Sequence, residues 1–334
     1  MPKMKRRTFA STLIALAWLA APGLASDLAS DLSSGAQAAE TTPGAPGKPA
    51  QKTIEEITVY GEKEKIVRDF VGSYAAPVPS LIGQIARWNV EICPVTVGLS
   101  AGFNTFVTSR VKEVAALVGA PVEAAGDAKT PCKTNIQIIF TPYPQGLMDA
   151  VRKKASWLLG FHYFAQAKGL ATFSYPIQSW YATATADSNG TLTADDLGFG
   201  NCGSWGLADA CSATVKGSRL GKGFRSEFMV VSVVVDMTKI GDLEIGPIAD
   251  YIAMLALAQT KSFDECRELA SVANLLAPGC AADKKANALT VTDIAYLRAL
   301  YQMNMDAPGG LQTIELARWM MRNLEESQAE GAPK

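Results

Sequence analysis

The chain has 334 residues, with 31 basic and 32 acidic side chains, one histidine and a formal net charge of −1. So small a net charge gives no broad basic footprint for nucleic acid or an anionic membrane. Hydrophobic residues make up 48% of the chain, enough to bury one large core or two small ones.

At the N-terminus Lys3, Lys5, Arg6 and Arg7 precede an apolar run from about Phe9 to Leu24. Ala36-Gln37-Ala38 then offers a small-residue cleavage site before Ala39. The pattern predicts a signal peptide over residues 1–38 and a mature protein in the periplasm or secreted. An Ala-Pro-Gly interruption leaves the run short of the ~20 apolar residues a membrane span needs. Lys5-Arg6-Arg7-Thr8-Phe9 looks like a twin-arginine signal, departing from it at Lys5 and Ala10; an ordinary basic Sec leader is the other reading. Residues 1–38 carry four basic and two acidic residues, so the remainder has a balance of −3.

Residues 39–65 read as a flexible linker and extended tail, being rich in Ser, Gly, Ala, Pro and Thr before a short β-branched stretch. Residues 66–328 read as a single globular domain and 329–334 as a disordered tail. Within the domain, Val107, Val111, Val114 and Val118 form one stripe of a helix over Phe103–Val118. Asn135–Thr141 is a strand, and a helix follows from about Gln145 to Leu159. Ile177–Ala186 and Thr191–Thr193 flank the turn signal Asn189-Gly190 as a hairpin. Gly198–Gly223 is glycine-dense and reads as a loop. Phe228–Asp236 is nearly continuously apolar, as in a strand covered on both faces. Ile248–Gln259 is apolar almost all round and predicts a buried helix. Thr290–Met303 opens like a capping box. Gln312–Glu325 closes the domain with Ile314, Ala317, Met321 and Leu324 inward. Strands first and helices later predict an α+β fold with a mixed or open sheet.

The six cysteines are Cys93, Cys132, Cys202, Cys211, Cys266 and Cys280. Sequence leaves fifteen connectivities open. Pairing nearest neighbours, Cys93–Cys132, Cys202–Cys211 and Cys266–Cys280, gives three short loops suited to an oxidising compartment. A zinc site is the poorer reading, since no Cys-x-x-Cys occurs and His162 stands alone.

The stretch from Phe228 to Tyr301 resembles the zincin metallopeptidase scaffold. The late helix Leu289-Thr-Val-Thr-Asp293-Ile-Ala-Tyr-Leu-Arg-Ala-Leu-Tyr301 follows that family's Leu-[Ser/Thr]-x-x-Asp opening and Leu-Tyr end. The resemblance implies an edge strand followed by a buried helix carrying His-Glu-x-x-His. Here that helix places Ala249, Asp250 and Ala253 at the metal-helix positions. Zinc needs imidazoles at i and i+4, with a glutamate acting on metal-bound water. The resemblance therefore implies a degenerate, catalytically dead member, similar to exported Gram-negative proteins on this scaffold. Asp250 is then a cap or ion-pair partner rather than a base.

Other candidates are weaker. Ser204, in Cys202-Gly-Ser-Trp-Gly206, lies one residue from Gly-x-Ser-x-Gly, and a hydrolase pairing Ser204 with His162 is the alternative function. The plainer reading of His162 is a hydrogen-bonded, partly buried imidazole. Asp187, Asn189 and Asp196 align with a calcium loop, yet Thr185 takes its first position; a hairpin turn with solvated carboxylates is the better account, with Asp195 beside it. Gly217–Gly223 lacks the Ser or Thr of a phosphate loop. Glu56, Ile57, Thr58 and Val59, within Ile54–Gly61, look like the energy-coupling box of outer-membrane transporters. That likeness implies a periplasmic partner that takes the 53–65 tail as an added strand; the domain's own first strand is the competing reading. The expectation is an exported, non-catalytic binding or scaffolding protein with no cofactor, no nucleic-acid partner and no transmembrane segment after leader removal.

Overall fold

The apolar run ending at Asp236 takes the centre of the fold. In the computed structural model, which describes residues 60–78, 83–122, 132–187, 192–195, 223–241 and 243–331, five strands form one sheet. They are β1 (Pro94–Val97), β2 (Ile136–Thr141), β3 (Ile177–Ala186), β4 (Leu192–Ala194) and β5 (Arg225–Asp236). Their order is β1-β2-β5-β3-β4. β1, β2 and β5 run parallel, with Ile138 opposite Val233, while β3 is antiparallel to β5 and β4 to β3. The class is α+β with a mixed sheet. β5 is an inner strand, whereas the resemblance implies an edge strand ahead of the buried helix.

Alternation along the strands divides two cores. Ile136, Ile138, Phe140, Ile177, Tyr181, Val231, Val233 and Val235 face a large core. It is filled by α1 (Tyr60–Tyr74), α2 (Ala101–Val118), α5 (Ile245–Leu257), α6 (Val291–Gln302) and α7 (Gly309–Gly331). On the other face Trp180 and Val234 meet Met148, Leu159 and Ala171. That thinner cover consists of α3 (Pro144–Lys154), a 3-10 turn at Ser156–Leu159, a second at Phe164–Gln166, and α4 (Ala167–Leu170).

Several expectations shift. Residues 60–65 are the first turns of α1, not part of an extended tail. The run Glu62-Lys-Glu-Lys65 looks like solvated linker, but Glu64–Arg68 and Lys65–Asp69 are i,i+4 ion pairs and Val67, Phe70, Val71 and Tyr74 are buried. α7 continues to Gly331, past the boundary expected at 328. Of its expected inner stripe, Ala317 and Met321 are buried and Leu324 packs against the core, joined by Leu316 and Met320, while Ile314 is 54% exposed. Gln312 and Asn323 share that face because the Gln312 side chain accepts from the Ile85 N–H at 2.7 Å and Asn323 donates to the Ala295 carbonyl at 3.1 Å. The expected helix to Leu159 stops at Lys154 and tightens into a 3-10 turn. β1, only four residues long, has no sequence signal of its own.

Cys93–Cys132 and Cys266–Cys280 are disulfides, as expected; Cys202–Cys211 lies outside the described residues. No helix among the described residues is long and apolar enough to cross a membrane. The disulfides are compatible with an extracytoplasmic protein.

Burial raises the phenol pKa of Tyr74, Tyr181, Tyr251, Tyr296 and Tyr301 above the usual value. The unfolded chain ionises these groups above about pH 10, so the fold then holds more protons and loses stability as pH rises. Urea midpoints should fall steeply above about pH 10, with phenolate absorbance from these five groups appearing only on unfolding. Five ordinary titrations with unchanged near-UV circular dichroism would contradict this packing.

Candidate functional site

The metal-helix positions sit in the middle of α5, where every residue from Ile248 to Leu257 is buried. Ala249 and Ala253 carry no ligand atom, so a zinc ion does not fit there. Asp250 uses both carboxylate oxygens. Oδ1 accepts from Arg110 Nε of α2 at 2.5 Å, and Oδ2 accepts from the Leu289 N–H at 2.9 Å. The first bond raises the Arg110 pKa. Asp250 therefore joins α2, α5 and the entry to α6.

The entry to α6 is fixed by a second buried carboxylate. Asp293 Oδ2 accepts from the Thr290 N–H at 2.8 Å, and the Thr290 hydroxyl accepts from the Asp293 N–H at 3.1 Å. Asp293 also takes the Ser271 hydroxyl and the Val272 N–H. This is the expected capping box, extended to a neighbouring turn.

A cleft of about 270 Å³ opens elsewhere, along β3. Among the described residues, no strand pairs β3 over 177–183 on the side away from β5, since β4 reaches only Ala184–Ala186. One wall is Leu159, Gly160, Phe161 and Leu170 from the cover; the other is Val78, Gln259, Thr260 and Phe263. Ser179, Trp180 and Tyr181 lie between them, and among the described residues no charged side chain lines the cleft. The second wall is braced by Arg267, which is buried, donates to Thr260 Oγ1 and the Ser262 carbonyl at 3.0 Å each, and lies 4.7 Å from the Tyr74 ring centre. The first wall approaches β3 at Gly160, whose φ is +81° and where a Cβ would lie 2.3 Å from the Tyr181 carbonyl oxygen. Only glycine fits that approach.

His162 stands beside this wall, its Nδ1–H donating to the Gly160 carbonyl at 2.6 Å. It holds the turn in shape. Ser204 lies outside the described residues, as do Asn189 and Asp196. Asp187 is buried, which corrects the reading of a solvated hairpin carboxylate. Strands β3 and β4, not helices, flank the calcium-loop candidate. Asp195 accepts from Thr183 at 2.5 Å and Thr185 at 2.7 Å, and burial raises its pKa. Among the described residues no three His, Cys, Asp or Glu side chains converge as a metal site. Glu56, Ile57, Thr58 and Val59 lie outside the described residues.

No protein-family model, no curated protein and no solved structure matches the chain. The cleft therefore stands on its own geometry. Sequence reasoning missed it because its walls come from four distant segments. The one local signal was the ring-rich stretch Trp157–Phe164.

Removing the Asp250 carboxylate leaves the Leu289 N–H without its acceptor and Arg110 without its buried partner. Asp250→Ala should cost about 2–3 kcal/mol in urea unfolding, tempered by the partly exposed arginine. A loss under about 0.5 kcal/mol would show the three-way contact to be idle.

Proposed function

We propose that the chain is an exported, non-catalytic binding protein on a degenerate zincin-like scaffold, and that its ligand occupies the cleft beside β3. The observation that carries this reading is a ring-lined cleft against the β3 edge, where among the described residues there is neither a charged lining side chain nor a partner strand over 177–183 on the side away from β5. Such a cleft disfavours phosphates, nucleotides and carboxylates, because their charge would be desolvated there without a counter-ion. It suits an uncharged extended segment bearing aromatic or aliphatic groups, since backbone amides can pair with the strand while rings fill the walls. Ala249 and Ala253 support the non-catalytic part of the proposal, and the leader over residues 1–38 supports export. The likeness of Glu56, Ile57, Thr58 and Val59 to an energy-coupling box supports a periplasmic partner that takes this segment as an added strand, while residues 60–65 belong to α1.

Gly169 lines the cleft, and a Cβ there meets no atom within 4 Å. Gly169→Trp should therefore fill the cleft and leave the fold intact. Against a library of neutral, aromatic-rich peptides, wild type should retain binders that Gly169→Trp loses by at least about tenfold. Equal retention by both proteins would remove the cleft from the function. Protein recovered after export, without a histidine tag, should hold no stoichiometric zinc or calcium by elemental mass spectrometry. One equivalent of either metal would end the degenerate-scaffold reading.

A further inference from the structure

The cover over β3 carries a charge imbalance that the net charge conceals. Between Asp149 and Asp187 the sequence has no acidic residue, but it has Arg152, Lys153, Lys154 and Lys168. Among the described residues none of these four cations takes part in an ion pair. The Arg152 Nε is buried without a hydrogen-bond partner. Asp149, the nearest acid along the chain, accepts from Gln145 on its own helix.

The same stretch presents rings to solvent. Phe164 is 98% exposed, Tyr163 70% and Trp157 43%. These rings are held by ordered turns. The Tyr163 N–H donates to Gln166 Oε1 at 2.9 Å, and Phe161 braces Tyr163 edge-on with ring centres 5.8 Å apart. The 3-10 turn at Ser156–Leu159 packs against both α3 and α4, which gathers the cations at the end of α3, Lys168 and the rings on one small cover.

We infer that residues 152–170 are a docking surface for an anionic lipid bilayer, with Trp157, Tyr163 and Phe164 entering the interface and the four cations meeting lipid phosphates. Two physical terms support that occupant. A wholly exposed phenylalanine loses nothing by leaving the protein's own surface and gains by entering the acyl boundary. Unpaired cations beside it are attracted to anionic headgroups and cost no broken ion pair. Neither term depends on a ligand in the cleft, and none of Lys153, Lys154, Trp157 and Phe164 lines it.

The test is co-sedimentation of protein recovered after export with vesicles of phosphatidylcholine alone or mixed equally with phosphatidylglycerol. Wild type should bind the mixed vesicles at low salt, weaken as salt rises, and ignore phosphatidylcholine alone. Lys153→Ala with Lys154→Ala should weaken binding on the order of 25-fold, and Phe164→Ser by about tenfold. A second readout keeps the site in view: brominated lipids should quench part of the tryptophan emission, and Trp157→Phe should remove that part. Absence of binding to the mixed vesicles overturns the inference, as does binding that both variants retain in full. Peptide capture by the cleft should survive in these variants, so this failure is separable from failure of the cleft reading.

Discussion

Helix α5 has no polar face to offer water, and the fold is arranged around that constraint. A helix apolar on every side must be enclosed on every side. The sheet, α1, α2, α6 and the segment after α5 supply the enclosure. Its backbone carbonyls near the C-terminal end are drawn into use: Trp88 donates to Ala256, Tyr181 to Leu255 and Ala258, and Tyr301 to Leu257. Three rings from distant parts of the chain thus satisfy the carbonyls a helix end leaves unpaired. The only charged side chain within the helix, Asp250, is turned to the same purpose and holds its neighbours together. The centre of the helix is committed to packing and to that three-way contact.

Much of the framework was readable because long, periodic elements carry their burial in their spelling. The valine stripe of α2, the continuous run of β5 and the all-round apolarity of α5 each name their surroundings. The Thr290–Asp293 box could be read because a cap is local chemistry. Elements whose burial is shared with polar groups were harder. The inner face of α7 includes Gln312 and Asn323, so an apolar period found Ala317, Met321 and Leu324 but also put the exposed Ile314 inward. α1 opens on alternating charges that are paired along the helix, and a linker has the same composition. The cleft was not legible at all. Val78, Leu159, Trp180 and Phe263 are unremarkable one by one and become a site only when the sheet order places them together.

The cover over β3 joins two properties that rarely meet in a well-buried fold. Its inner side, Leu159 with Met148 and Ala171, seals the second face of the sheet around Trp180 and Val234. Its outer side leaves rings and cations unsatisfied. Gly160 lets it approach the strand closely at one point, and His162 holds that turn in shape. A wall of the cleft and the exposed lip are consequently built from one short stretch, while the opposing wall is anchored by Arg267 next to the Cys266–Cys280 bridge.

The order of strands has a consequence for how the chain reaches this state. β5 lies between β2 and β3 but follows both in sequence. Until it arrives, β2 and β3 have no common neighbour, and the apolar faces of the earlier strands stay uncovered. Most of the sheet must wait for pairings between residues far apart in the chain, a topology that slows folding and lengthens the exposure of sticky intermediates. The Cys93–Cys132 bridge closes the β1–β2 connection and involves no residue of β5. Its oxidation can therefore precede completion of the sheet, shortening the search for the parallel pair. A partly synthesised chain ending before Arg225 should be among the most aggregation-prone forms of this protein.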